Sequence, residues 1–195
     1  MYVADLRHFL DLSPSTPGPA RRLAEQLGGI ARAATAGDAG NAWPSALPCR
    51  RRPGRRPCPG RITVFRPEPP AEIRWQCDVC GDQGVISGWE DSPYDLRRRG
   101  LSLAGPLRDV VLSHDMAAAL RGLRLLDADC ERLVYRIRAD GDEAVLSATD
   151  EDLDELVGYV AAGANHERNR RRQRRLDAAY DALDNATHTG AGDPM

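Results

Sequence analysis

Apolar residues recur at two different periods along this chain. Ala20, Leu23, Leu27, Ile30 and Ala34 follow helical spacing, and Thr16-Pro17 ahead of them supplies a capping residue and a proline suited to the first helical position. The spacing predicts a helix from Pro17 to Ala36, with Gly28-Gly29 weakening its middle. The segment from Gly37 to Pro48, GDAGNAWPSALP, is rich in turn residues and reads as a loop.

From Gly60 the period falls to two. RITVFR, EIRWQC and GVISGW, with the proline-rich turn Pro67 to Pro70 between the first two, predict three short antiparallel strands. EDSPYDLRRRGLSLAGP has turn residues and no period, which predicts a linker or surface loop over residues 93–106. Beyond it, RDVVLS reads as a strand, HDMAAALRGL as a short helix, and RLVYRIR with EAVLSA as a hairpin about Ala139 to Asp142. In that hairpin Leu133, Tyr135 and Ile137 form the expected buried face, alternating with Val134, Arg136 and Arg138. Thr149 then caps a helix whose first turn holds Asp150, Glu151 and Asp152, acids that suit the positive end of the helix dipole. This helix is expected to run to Leu183 or to break near Gly163.

The implied class is α+β: an N-terminal helical segment (residues 1–40), a small three-stranded antiparallel module (41–92), the linker (93–106), a C-terminal α+β module combining a hairpin with a long helix (107–186), and a disordered tail (187–195). Composition narrows the setting. The 195 residues are 42% hydrophobic, 29% charged and 5% aromatic, as in a soluble protein of one or two small domains. The N-terminus MYVADLRHFL carries Asp5 and no basic leader, and no run approaches the roughly 18 apolar residues of a membrane span. A cytoplasmic protein without a membrane partner is therefore expected.

The net charge is only −2, yet the charges are segregated. Arg50, Arg51, Arg52, Arg55, Arg56 and Arg61 lie in a stretch without acids, while Asp140 to Glu155 is acidic and free of arginine. All 27 Lys and Arg positions are Arg, a bias of the whole chain that tempers the weight of any one cluster.

The candidate chemistry lies in the cysteines. Cys58 precedes RITVFR and Cys77 ends EIRWQC, so a hairpin between these strands brings the two together. Cys80 completes a C-x-x-C pair, and Cys49 reaches back across an eight-residue loop. Four thiolates then converge as tetrahedral structural zinc prefers. His8 and His114 are the other side chains able to take the place of Cys49. The alternatives fit less well. A thioredoxin-type pair needs a helix after the motif, whereas CDVCGDQGVIS continues as turn and strand. A disulfide scaffold needs an oxidising compartment and an even cysteine count, and this chain has 5. Cys130, in LLDADCERLVY, reads as a packing residue.

The segment from Cys49 to about Trp89, a CDVCG knuckle joined to three strands, resembles a zinc ribbon over about a fifth of the chain. Its first cysteine pair departs from the usual two-to-four-residue spacing. The resemblance implies one structural Zn2+ held by Cys49, Cys58, Cys77 and Cys80, with no coordination position left open for catalysis.

No motif assigns catalytic roles, so an enzyme is not the expected reading. The loop CRRRPGRRPC instead offers guanidinium groups to phosphates, with Trp43, Trp75 or Trp89 as stacking candidates for an exposed base. Arginines near a zinc thiolate centre also have a simpler role, offsetting its formal negative charge. A second basic block, HERNRRRQRRLDAAYDAL, reads as a solvated helical arm able to meet an acidic surface. The expected partners are thus DNA or RNA, with an acidic protein surface or a second copy of the chain as the alternative.

Overall fold

The computed structural model describes residues 1–13, 15–68, 72–97 and 105–188. The chain divides into two compact units, Met1–Arg98 and Arg99–Met195.

In the first unit, strand β1 (Tyr2–Asp5) leads through a 3-10 turn (Leu6–Phe9) to helix α1 (Gly18–Ala36), followed by β2 (Ala42–Pro48), β3 (Arg61–Phe65), β4 (Ile73–Cys77) and β5 (Gln83–Ser87). The strand order is β1-β5-β4-β3-β2, with β1 parallel to β5 and the other pairs antiparallel. The expected three-stranded module is therefore corrected. Three strands do pair as read, but β1 and β2 flank them and the unit is a mixed five-stranded sheet.

Of the segment expected to be a loop before Cys49, residues 42–48 are strand β2. Its two prolines hid it: a register shift between Pro44 and Pro48 accommodates them, and the Ser45 hydroxyl donates to the Ile62 carbonyl at 2.6 Å across the pair. Strand β1 is held by a different device. Tyr2 lies opposite Gly84, where a Cβ would sit 2.5 Å from the Tyr2 carbonyl and 3.0 Å from the Trp75 ring, so only glycine admits the parallel strand.

The buried face alternates as a strand should. Ile73, Trp75 and Cys77 point inward on β4 while Arg74 and Gln76 point out, and Ile62 and Val64 continue the face on β3. Helix α1 packs against β2, β3 and β4 with Leu27, Ile30, Ala31 and Ala34 fully buried. Gly28 serves packing, because a Cβ there would strike the Tyr94 ring at 2.9 Å. Residues 89–97 are seated against α1. Thr35 Oγ1 donates to the Ala31 carbonyl and accepts the Leu96 amide at 3.0 Å. Arg97 stacks over the fully buried Trp89 and pairs with Asp95. The remainder of the expected linker up to residue 104, and the second half of the turn Pro67 to Pro70, lie outside the described residues.

The second unit runs β6 (Arg108–Ser113), α2 (His114–Arg121), α3 (Ala128–Arg136), β7 (Arg138–Asp140), β8 (Glu143–Ala148), α4 (Asp150–His166) and α5 (Arg170–His188). Its strands pair antiparallel in the order β7-β8-β6. The hairpin expected from RLVYRIR is a further correction, since most of that run is the C-terminal part of α3. Cys130, Leu133, Val134 and Ile137 are buried, a helical period. Asp127 starts the helix by accepting the Cys130 amide at 2.7 Å. The short β-prone run Leu133 to Ile137 satisfies either period, and the cap upstream decides.

Thr149 caps α4 as expected, and the helix ends at His166. Asn169 then accepts the amides of Arg171 and Arg172 to open α5. The basic block is not simply a solvated arm. Arg172 donates to the Gly122 carbonyl and pairs with Glu167, and Arg175 pairs with Asp115 at 2.5 Å. Leu176, Ala179 and Leu183 bury the other face of α5, which extends to His188; the expected tail beyond it lies outside the described residues. Among the described residues no helix is long and apolar enough to cross a membrane.

Candidate metal centre

Four cysteines meet at one end of the first unit's sheet. Cys49 follows β2, Cys58 precedes β3, Cys77 closes β4 and Cys80 lies in the turn toward β5, so pairing of β2, β3 and β4 carries the first three to the same end. Their Sγ atoms all lie within 4.8 Å of one another. Cys49 to Cys80 and Cys58 to Cys77 are each 3.7 Å. A tetrahedral ion with sulfur ligands at ~2.3 Å sets neighbouring sulfurs about 3.8 Å apart. All four are free thiols, three of them buried and Cys80 exposed. His8 and His114 do not belong to the cluster.

The backbone turns toward the sulfurs at three of the four corners. Cys49 Sγ accepts the Arg51 amide at 3.4 Å, Cys58 Sγ accepts the Gly60 amide at 3.4 Å, and Cys77 Sγ accepts the Cys80 amide at 3.5 Å. Fixed N–H dipoles of this kind favour thiolate over thiol. They compete with burial, which pushes the Cys49 and Cys77 thiols up, whereas the Asp82 amide draws exposed Cys80 down.

Gly60 is the tightest point of the frame. A Cβ there would lie 2.4 Å from Asp78 Oδ1 and 2.6 Å from Cys77 Sγ. Gly81 supplies the positive φ, 68°, of the turn after Cys80. Asp78, which no sequence motif singles out, ties the two halves together by accepting the Arg61 amide at 2.7 Å while its own amide donates to the Arg61 carbonyl. The available signal was a cysteine followed two residues on by a turn-type residue, as in Cys58-Pro59-Gly60 and Cys80-Gly81-Asp82. After the C-x-x-C pair the chain enters β5 and not a helix, which separates it from a thioredoxin-type arrangement.

The loop between Cys49 and Cys58 folds over a short 3-10 turn (Pro53–Arg55), with Gly54 and Arg55 at positive φ. Arg50, Arg51, Arg52, Arg55 and Arg56 are all exposed. Arg50 donates to the Arg22 carbonyl at 2.8 Å and approaches Glu25, and Arg51 lies 3.7 Å from Asp82. Among the described residues Arg52, Arg55 and Arg56 have no carboxylate partner. Arg61 differs: it is half-buried at the start of β3, and its Nη1 donates to the Pro59 carbonyl. None of the tryptophans stands beside the loop as a stacking surface. Trp75 and Trp89 are buried in the core, and Trp43 packs over Gly37.

A second group, Asp127, Cys130 and Glu155, also brings its ligand atoms within 4.8 Å. Asp127 caps α3 there, and its nearby carboxyl pushes the Glu155 pKa up. No protein-family model matches the chain, and no curated protein or solved structure matches it.

Proposed function

We propose that Cys49, Cys58, Cys77 and Cys80 hold one structural Zn2+, and that the arginine loop anchored between the first two contacts nucleic-acid phosphates. The sulfur spacing supports the metal. Four thiolates fill a tetrahedral shell, so the ion serves to tie β2, β3 and β4 to the knuckle rather than to activate water.

The observation carrying the second half is that Arg52, Arg55 and Arg56 stand exposed without carboxylate partners on a loop tied at both ends to the cysteine cluster. The donors seen at the sulfurs are backbone amides, which weakens the explanation that these guanidiniums exist to offset thiolate charge. With no aromatic platform beside them, contact is to the phosphate backbone and carries little base preference.

Elemental analysis of protein purified without chelator is expected to give one zinc per chain. Duplex binding should fall with salt at a log–log slope of about −3.6 if about four arginines reach phosphates. Replacing Arg51, Arg52, Arg55 and Arg56 by Ser should flatten that slope with zinc retained. Binding indifferent to those changes would point to a protein partner.

A further inference from the structure

Beside the arginine loop the first unit has a concave cleft of about 840 Å3, walled by the first turns of α1 on one side and by Arg50, Arg51 and Arg52 on the other. The cleft is open to solvent rather than enclosed. We infer that this cleft is a two-walled phosphate cradle in which Arg22 of α1 joins the loop arginines to grip the backbone of double-stranded nucleic acid. The inference rests on the loop reading above and adds a second wall, a new residue and a place for the phosphate.

Three features of α1 support it. Its first turn contains no acidic residue, so the positive end of the helix dipole is uncompensated by carboxylates. Arg22 folds back toward that end: a Cβ on Gly18 would lie 3.1 Å from Arg22 Nη1, so the absence of a side chain at Gly18 makes room for the guanidinium. The Arg22 carbonyl, meanwhile, accepts Arg50 Nη1 at 2.8 Å and holds the loop to the helix. Arg22 and the loop arginines thus converge from two elements held together by a hydrogen bond. The Ala20 and Arg21 amides are already taken by the Pro17 carbonyl, so the guanidiniums are the donors a phosphate meets here.

Glu25 is the carboxylate lining the cleft. It lies 3.8 Å from Arg50 Nη1, which leaves Arg22, Arg51 and Arg52 as the lining charges it does not approach. Arg51 and Arg52 also line a second depression next to Cys80 and Asp82, where the Asp82 carboxylate lies 3.7 Å from Arg51, so Arg52 is the loop arginine of both depressions that has no carboxylate partner among the described residues. The lining offers no ring on which a base could stack, which favours a duplex, whose bases stay paired, over a single strand.

The test uses the full chain, a labelled DNA duplex of about 20 base pairs, and a salt titration. Arg22→Ser should weaken duplex binding at low salt by about fivefold or more and make the salt slope shallower by about 0.9, one phosphate contact. Arg21→Ser, a neighbour that does not line the cleft, should leave both unchanged. Arg22→Lys keeps the charge and should recover most of the slope, and zinc content measured on every variant separates lost contact from lost fold. If Arg22→Ser binds like the wild type while the four-arginine loop variant does not, the cradle is wrong and the loop reading stands. If the wild type binds no duplex at low salt, both fail. Stabilisation by inorganic phosphate that depends on Arg22, with no duplex binding, would make the cleft a free-phosphate site and overturn the assignment to nucleic acid.

Discussion

Cys58 and Cys77 are 19 residues apart in sequence, and their sulfurs stand 3.7 Å apart. The same distance separates Cys49 from Cys80 across 31 residues. Strand pairing produces the first closure, since Ile62 lies opposite Cys77 in the β3–β4 ladder and Cys58 sits just before that strand. Four uncharged thiols would gain little from such proximity, whereas four thiolates around a cation gain the metal's binding free energy.

Replacing Cys77 by Ser should therefore release the zinc and destabilise the first unit by on the order of 5 kcal/mol, a part of the roughly 10–16 kcal/mol with which structural zinc binds near neutral pH. Zinc analysis and thermal melts of wild type, Cys77→Ser and chelator-treated protein check this. Unchanged melting after complete metal removal would contradict it.

Gly60→Ala should cost the metal with all four cysteines retained, because the new methyl must displace Cys77 Sγ or Asp78. Gly158→Ala makes the opposite case. Nothing lies within 4 Å of a Cβ at this exposed position in α4, so the change should stabilise the second unit by about 0.5–1 kcal/mol. Denaturant melts read the stability change, and zinc affinity reads the first variant.

The Asp95 and Arg97 pair should give a pH signature. Burial works against the Asp95 charge, but the hydrogen bonds from Arg97 prevail and hold its pKa below the ordinary 3.8. A carboxyl lowered on folding contributes stability that is present above its unfolded value and lost as pH falls through the folded one. Trp89 fluorescence, reporting the stacked Arg97, should thus stay constant down to about pH 4 and change only below it. Asp95→Asn should shift that signal at neutral pH and cost about 2 kcal/mol, by weakening bonds to Arg97 and to the Asp91 amide.

The helical identity of residues 128–136 is testable through the cap. Asp127→Ala should destabilise the second unit by about 1 kcal/mol, and Val134→Asp should unfold it, since Val134 is fully buried. In a hairpin with Val134 facing out, neither change would matter. Equilibrium unfolding of both variants distinguishes the two.

The sequence alone determined what depends on neighbours in the chain: the start of α1 near Pro17, the Thr149 cap of α4, the alternation of Ile73, Trp75 and Cys77, and the convergence of cysteines across a hairpin. Each follows from short-range sterics or from the two-residue period of a strand. The tertiary structure decided what depends on distant partners. Strand β2 exists because β3 pairs with it in spite of Pro44 and Pro48, and β1 exists because Gly84 leaves a path beside Trp75. Leu133 to Ile137 suits a strand or a helix by composition, and burial against the rest of the unit, together with the Asp127 cap, selected the helix. At the candidate site, the cysteines were legible because ligand chemistry demands particular residue types. Asp78, and the place of Arg22 beside the loop, were not, because both depend on contacts between residues far apart in sequence, and a linear pattern does not contain those.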